Sequence, residues 1–154
     1  MSRTFDDIDR RLIGALCATP RATVTSLASS VGVTRSTIQL RLERLIDRET
    51  IIGFGPDLNP AATGFGVVAF VSLSISQGAH EAVVDSLTKV PEVLEVHTVT
   101  GGGDLLCKVV ARSNDDLHEI LQRVVASPEI VRTETQLSLS NPINRKLADL
   151  VARS

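Results

Sequence analysis

The spacing of apolar residues changes along this chain, and the change constrains its fold more than any other feature. In residues 1–50, apolar side chains recur every three or four positions, as in helices that pack on one face. In residues 65–154, stretches of alternating apolar and polar residues, typical of strands, are interrupted by further helical patterns. Residues 51–64, where glycine and proline are frequent, indicate a short strand followed by a linker. The sequence therefore predicts an α+β chain with two domains.

Residues 1–50 predict three helices, each with its own boundary signals. The first ends at Pro20, and Thr23 can cap a short second helix. Gly32 can end that helix in a left-handed conformation, and Thr34 can cap a third helix that runs to about Arg48. A short helix, a turn containing glycine and a longer helix together indicate a helix-turn-helix.

The second half of the chain repeats a short pattern. A Pro-Glu pair lies between a predicted helix and a predicted strand at Pro91 and again at Pro128. Two strand-helix-strand units in tandem predict a ferredoxin-like βαββαβ sandwich, followed by a closing helix from Pro142. The sheet face away from the helices would carry four apolar side chains, Val68, Phe70, Leu106 and Val110. We expect a second copy of the chain to cover that face.

Net charge becomes informative once it is divided between the two halves. The chain has 16 basic and 18 acidic residues, a net charge of −2. Residues 1–50 hold eight arginines and six acids, or +2, and the remainder holds eight basic and twelve acidic residues, or −4. A general DNA binder would be more basic, whereas this asymmetry suits a protein that concentrates positive charge on one helix.

Other features exclude several classes of protein. No run of about 18 apolar residues is present, and the N-terminus lacks a signal-peptide pattern. Cys17 and Cys107 are isolated in apolar segments, which is typical of reduced thiols in a cytoplasmic protein. His80, His97 and His118 lack the spacing of a metal site. We therefore expect no membrane span, metal, cofactor or catalytic residue.

The third predicted helix separates its charges by sign. At 100° per residue, Glu43 and Asp47 share one flank, whereas three arginines share the other and are suited to phosphate. Its first turn would meet base edges, as a recognition helix does. The residues predicted to contact DNA are Arg35, Ser36, Thr37, Gln39, Leu40, Arg41, Arg44 and Arg48. The alternative is a surface helix with solvated charges.

Together these residues resemble the Lrp/AsnC, or feast/famine, family of bacterial and archaeal transcriptional regulators. The resemblance covers nearly the whole chain and depends on an ordered series of matches: 6–13, Arg21, 27–34, 41–45, 51–54, 58–60, 91–93 and 99–106. One departure is Glu49-Thr50, where the family usually has glycine before the short strand.

The resemblance implies a fold, a function and an assembly. It implies a winged helix-turn-helix followed by an ACT-like domain, called RAM, and a regulator of amino-acid-related metabolism that responds to an amino acid. It further implies dimers through the C-terminal sheets, larger assemblies such as tetramers or octamers, association with the nucleoid, and an effector bound between dimers near residues 100–105.

The glycine-rich loop in that region has chemistry of its own. Three successive glycines let backbone N–H groups approach a carboxylate, and the neighbouring polar side chains suit an ammonium group. The candidate effector-binding residues are Thr100, Gly101, Gly102, Gly103, Asp104, Leu105 and Gln136. The residues alone equally allow a plain hairpin turn in which Asp104 bonds its own backbone. The resemblance favours binding.

Two other functions compete with a regulator. Sirohaem decarboxylases resemble this family in fold, but they would need histidine and basic residues converging on a tetrapyrrole in the second half. A stand-alone amino-acid-binding module is the other alternative, and it would leave residues 1–50 without a use.

Overall fold

The computed structural model describes residues 5–152, which form two compact units. One unit contains residues 5–56 and 143–152, and the other contains residues 57–142. The first holds four helices: α1 (Asp7–Ala18), α2 (Val24–Val31), α3 (Arg35–Asp47) and α6 (Leu147–Val151). The second holds β1 (Val67–Ile75), α4 (His80–Leu87), β2 (Val93–Thr98), β3 (Leu105–Ala111), α5 (Asn114–Val124) and β4 (Ile130–Leu137), after a 3-10 turn at Ala61–Thr63.

The helix boundaries of the first unit follow the capping residues in the sequence. The Thr23 side chain accepts a bond from Ser26 N–H at 3.2 Å, and the Thr34 side chain accepts one from Thr37 N–H at 3.2 Å. Gly32 ends α2 with φ of 74°, a left-handed conformation that favours glycine. The apolar faces of the three helices meet in one core, whose buried members are Leu12, Leu27, Ala28, Val31, Ile38 and Leu45. The predicted helix-turn-helix is confirmed.

The second unit is the predicted βαββαβ sandwich. Its sheet has the order β2-β3-β1-β4, and every neighbouring pair is antiparallel. Alternate residues of β1 and β3 point to one face, where they pack with α4 and α5 around fully buried side chains such as Leu73 and Ile120. The apolar residues that alternate along β1 and those at helical spacing along α5 therefore pack together in one core.

The opposite face of the sheet is apolar at its centre and charged at one edge. Phe70 is 39% exposed, Val68 and Leu106 are half-buried, and Val110 is buried. Beside them, Lys108 donates to Glu95 at 2.9 Å, and the pair lies at the β2 edge. The predicted apolar patch is therefore present on this face.

Three local predictions need correction. The strand expected at residue 51 is absent, since residues 51–59 hold no helix or strand and Ile52 is 93% exposed. A lone strand leaves its backbone bonds unmade unless another strand pairs with it, and pairing cannot be predicted from residues 51–54 alone. The sequence also predicts Asn114 as the cap of α5, but the cap is Ser113, whose hydroxyl accepts from Asp116 N–H at 3.1 Å, so Asn114 is the first helical residue.

The third correction concerns the closing helix. It begins at Leu147 instead of Pro142, because Lys146 N–H donates to the Asp149 carboxylate at 3.2 Å and so forms its N-terminal cap. It also packs against α1, where Ala152 Cβ would lie 3.3 Å from a Cβ added at Gly14. The structure thus places this helix with the first unit, although the sequence assigned it to the domain at 65–154.

None of the helices within residues 5–152 combines the length and the apolar character needed to cross a membrane.

Candidate functional site

The outward face of α3 carries most of the residues predicted to read DNA. Arg35, Ser36, Gln39 and Arg44 are exposed, and Leu40 is 48% exposed. Arg48, also exposed, is the C-cap residue of the helix. Polar and apolar groups at the start of a helix, followed by arginines farther along, can contact base edges and phosphates respectively.

The hydroxyl groups in the first turn of α3 belong to its capping network. Thr34 Oγ1 lies 3.0 Å from Ser36 Oγ and 2.8 Å from Thr37 Oγ1. Thr37 is half-buried, so its hydroxyl serves the cap first. A hydroxyl has one donor and two acceptor positions, so a hydroxyl that bonds Thr34 can still bond a base edge. Ser36 is exposed, and its hydroxyl is therefore more accessible to a base edge than that of Thr37.

A shallow, open groove lies between α2 and the first turn of α3. The left-handed Gly32 produces the turn that brings the two helices together there. The groove is lined by Thr25, Ala28, Ser29, Gly32, Val33, Thr34 and Arg35. Small and hydroxyl-bearing side chains dominate this lining, so a nucleic-acid backbone could approach α2 closely at this point.

Arg41 does not face outward with the other arginines. Its Nη1 donates to the Asp6 carboxylate and, at 3.1 Å, to Asp9 Oδ1, and the Arg41 side chain is only 20% exposed. The hydrogen bond from Arg41 lowers the pKa of Asp6, and the same contact raises the pKa of Arg41. The structure therefore places Arg41 on the flank of α3 nearest α1, where two carboxylates bind it, and its contact with DNA stays a prediction.

Arg44 remains as the exposed arginine in the middle of α3. It makes no salt bridge within the part of the chain that the structure describes. With Arg48 one turn farther on, it forms the part of the cationic strip that faces solvent. The strip is thus shorter than the sequence predicted, but it is still on the exposed face.

The glycine loop between β2 and β3 is tied to the end of β1. Val99 N–H donates to the Asp104 carbonyl at 3.0 Å, and Asp104 N–H donates to the Leu73 carbonyl at 2.8 Å. Asp104 Oδ2 accepts from Ile75 N–H at 2.8 Å. Asp104 thus bonds a neighbouring strand, not its own backbone, and this arrangement differs from the plain-turn alternative. The bonds of Asp104 fix the position of the glycine loop relative to β1.

Gly103 has no room for a side chain. A Cβ there would lie 2.3 Å from Ser72 Oγ and 3.2 Å from the Leu73 carbonyl oxygen, whereas one at Gly102 would meet nothing within 4 Å. Gly101 adopts φ of 123°, which also favours glycine. The three glycines therefore differ: one is needed for conformation, one for close approach, and Gly102 for neither.

We expect Gly103→Ala to lower the free energy of unfolding by about 1–3 kcal/mol, because the added methyl overpacks the contact with β1. Gly102→Ala is the matched control and should change it by less than about 0.5 kcal/mol. Adding Ser72→Ala to Gly103→Ala should restore part of the loss, since it removes the closest contact. Chemical denaturation of all variants checks this. Equal losses at Gly102 and Gly103 would contradict the predicted contact.

Within the described residues of one chain, no hydrogen bond joins Gln136 to the loop. Gln136 pairs with Phe70, three residues before Leu73, which corresponds to roughly 10 Å along a strand. Its side-chain amide donates to Glu134 at 3.4 Å. Ser72 and its cross-strand partner Glu134 lie nearer the loop. The sequence does not reveal these two residues, because only the register of β1 with β4 places them there.

The histidines and cysteines show no sign of a metal or redox site. His80 lies 2.8 Å from Thr98 Oγ1, His97 3.1 Å from Glu95, and His118 3.0 Å from Gln122. Residues 5–152 contain no group of three or more potential ligands suited to a metal ion. Burial raises the pKa of the Cys107 thiol to about 11, so this thiol stays protonated and unreactive.

Models of two protein domains match this chain. The AsnC-type helix-turn-helix domain matches residues 5–46, and the Lrp/AsnC ligand-binding domain matches residues 68–148. The first range contains α1, α2 and nearly all of α3, and the second contains all of the four-stranded sheet except Val67, the first residue of β1. The two matched ranges correspond to the helix-turn-helix and to the βαββαβ sandwich described above.

Known proteins and solved structures resemble the chain along most of its length. The transcriptional regulator AldR of Mycolicibacterium smegmatis is 34% identical over 88% of this chain and 82% of its own. The structure of Escherichia coli AsnC is 31% identical, with a TM-score of 0.88 over 94% of this chain and 99% of its own.

A further similar structure was solved with a bound ligand. A feast or famine regulatory protein from Mycobacterium tuberculosis, complexed with L-methionine, is 30% identical, with a TM-score of 0.83 over 92% of this chain and 96% of its own. These relatives are transcriptional regulators, which favours that function over the decarboxylase and the stand-alone module. The chain belongs to the Lrp/AsnC family of transcriptional regulators.

Proposed function

We propose that this protein is a homo-oligomeric transcription factor that reads duplex DNA with α3 and responds to an amino acid. The observation that carries the proposal is the exposed face of α3, which follows a short helix across the Gly32 turn and presents Arg35 and Arg44 to solvent. A surface helix without a function would not require the glycine turn and the compact α2 before it.

The contacts with DNA divide into two kinds. We assign base edges to the first turns of α3, where Arg35, Ser36, Gln39 and Leu40 are exposed. Arginine can bond guanine bidentately, glutamine can bond adenine, and leucine can pack on a thymine methyl group. We assign phosphates to Arg44 and Arg48, which lie farther along the helix. In a dimer, two such helices would reach half-sites roughly 10 bp apart.

The effector site is proposed at the glycine loop. The bonds of Asp104 to β1 hold the loop in place. A Cβ added at Gly101 or Gly102 would meet nothing within 4 Å, so a carboxylate has space to approach the backbone N–H groups there. The methionine complex of the related regulator supports an amino acid as the ligand. Because no hydrogen bond joins Gln136 to the loop within the described residues of one chain, we assign its contribution to a neighbouring copy, with the effector between dimers.

The assembly is proposed to begin with a dimer through the open sheet face, around Phe70, Leu106 and Val110. Dimers then form a tetramer or an octamer, and the effector changes the spacing of their DNA-reading helices. DNA and effector must consequently alter each other's affinity by the same factor. We place the protein in the cytoplasm, on the nucleoid of a bacterium or archaeon, as its relatives are bacterial and archaeal regulators.

One experiment tests the function directly. The full-length protein is used to select duplexes from a random-sequence pool, and the recovered duplex is then titrated in a mobility-shift assay with each of the twenty amino acids. We expect an enriched sequence and at least one amino acid that changes its affinity by roughly 5–150-fold, the usual range of allosteric coupling. Failure to enrich any sequence would refute DNA reading. Enrichment without any amino-acid response, supported by absent heat in calorimetry, would refute the effector site alone.

A further inference from the structure

The pairing of Arg41 with α1 is part of a closed network. Arg41 Nη1 donates to Asp6 Oδ2 and to Asp9 Oδ1. The two aspartates also bond each other's backbone: Asp9 N–H donates to Asp6 Oδ1 and Asp6 N–H donates to Asp9 Oδ2, both at 3.1 Å. Each carboxylate thus uses one oxygen to cap α1 and the other to hold α3.

The burial of Asp9 explains why this network includes the positively charged Arg41. Asp9 is the one charged residue classed as buried within residues 5–152, and its side chain is 11% exposed. A buried carboxylate requires an opposite charge or strong hydrogen bonds, and Arg41 supplies both. Because Arg41 lies near the middle of α3, this contact fixes where that helix sits along the N-terminal end of α1.

A second contact attaches α1 to the other end of the reading motif. The Arg11 guanidinium donates to the carbonyl of Val31, the last residue of α2, directly before the Gly32 turn. Arg11 is one turn beyond Asp7 on α1 and points to the turn, whereas Asp6 and Asp9 point to α3. Together the two polar contacts attach α1 to both helices of the reading motif, at the end of α2 and at the middle of α3.

We propose that Arg41, held by Asp6 and Asp9, is a positioning residue that sets the orientation of the recognition helix and does not bind phosphate. This inference rests on the proposed DNA-binding function. Two carboxylates around one guanidinium leave a local charge of −1, so the network offers no net positive charge to DNA. Its effect is on sequence reading, because base contacts need the helix placed within about 0.5 Å, whereas phosphate contacts carry no sequence information.

The test compares three full-length variants: Arg41→Gln, Asp6→Asn and, as the matched control on the same helix, Arg44→Gln. Asparagine caps a helix about as well as aspartate, so Asp6→Asn keeps the cap of α1. Its amide nitrogen cannot accept a hydrogen bond, so the variant loses both the charge and the bond to Arg41. Affinity is measured for a duplex selected by the unmodified protein and for a shuffled duplex of equal length. Both are measured from about 50 to 200 mM salt, the range over which phosphate contacts are resolved, at a temperature below the onset of unfolding of every variant.

We expect Arg41→Gln and Asp6→Asn to weaken binding of the selected duplex by about tenfold, within the range for residues coupled in one network. Binding of the shuffled duplex and the salt dependence should stay unchanged. Arg44→Gln should weaken both duplexes and reduce the slope of log affinity against log salt by about 0.9, the value for one phosphate contact. The combined Asp6→Asn/Arg41→Gln variant should bind no more weakly than Arg41→Gln, because both changes remove the same link.

Asp6→Asn gives the sharpest result, because it removes a negative charge and should strengthen binding if charge alone mattered. A salt slope reduced by Arg41→Gln as much as by Arg44→Gln would identify Arg41 as a phosphate ligand and overturn the proposal. An unchanged ratio between selected and shuffled duplexes in folded Asp6 and Arg41 variants would also overturn it, leaving the network a role in stability alone. If the unmodified protein selects no duplex, the proposed function itself fails, and that outcome is distinct from both.

Discussion

Replacing Arg35 and Arg44 together with glutamate is expected to weaken binding of the selected duplex by roughly 10²–10³-fold at moderate salt. Each arginine contact with a base or phosphate contributes about 1–3 kcal/mol, and the introduced carboxylates add repulsion from phosphate. Both side chains are exposed and neither forms a salt bridge in the described residues, so the fold loses nothing that it depends on. The free energy of unfolding should change by no more than about 0.5 kcal/mol.

A control with the same change in net charge separates local contact from general repulsion. Lys89 and Arg145 are exposed and lie outside α3, so Lys89→Glu with Arg145→Glu lowers the net charge by the same four units. We expect this pair to weaken binding several-fold at most, through the long-range field that salt screens. Fluorescence anisotropy at two salt concentrations measures both variants. Equal losses in the two pairs would mean that α3 is not the reading element.

The helices of the first unit could be predicted because their boundary signals are local. A threonine that bonds a backbone N–H three residues ahead, as Thr23 and Thr34 do, depends on a few residues of sequence only. The same holds for Gly32, whose left-handed conformation ends α2. The βαββαβ order was also predictable, since the Pro-Glu repeat marks the same helix-to-strand junction twice.

What could not be predicted depends on partners far away in the sequence. The helical wheel placed Arg41 at the edge of a cationic strip, but the partner that turns it inward is Asp9 on another helix. Three aspartates open α1, and only the packing of α1 on α3 determines that Asp9 is the buried one. Helical periodicity therefore predicts the direction of a side chain, but not the charged residues of other helices that lie in that direction.

The same reasoning explains why the strand predicted at residue 51 is wrong and why the position of Gln136 in the sheet could not be predicted. A strand at residue 51 requires a neighbouring backbone, and no pattern within residues 51–54 specifies one. Gln136 was grouped with the glycine loop because it lies on the last strand, but the pairing of Gln136 with Phe70 places it about three residues from the end of β1 that holds the loop. Register across a sheet is set by the whole strand pair, so single-residue neighbours cannot be read from the sequence.

Phe70→Asp is expected to dissociate the proposed sheet-to-sheet dimer. Phe70 lies at the centre of the open face, with Val68 beside it on the same strand and Leu106 and Val110 on β3. Burying a phenylalanine contributes about 1.5–3 kcal/mol, and a symmetric interface contains each residue twice. Because Phe70 is only 39% exposed in the isolated chain, the two copies contribute about 1–2 kcal/mol in total. The cost of burying two carboxylates adds to this loss, so the dimer dissociation constant should rise by more than about a hundredfold.

The isolated chain should tolerate this change, because Phe70 is 39% exposed there and lies on the side of the sheet opposite the core formed by Leu73 and Ile120. Val131→Asp is the matched control: Val131 is an apolar residue of β4 that is 72% exposed and outside the patch. Sedimentation equilibrium over a range of protein concentrations measures both variants, and circular dichroism checks that they are folded. If Phe70→Asp proves unfolded, Phe70→Ser offers a milder change with the same expected direction. A folded Phe70 variant that dimerises as tightly as the Val131 control would show that another surface joins the subunits.

Weaker DNA binding by the folded monomer would further connect the sheet face to operator reading, because two recognition helices can reach successive half-sites only while the dimer holds them together.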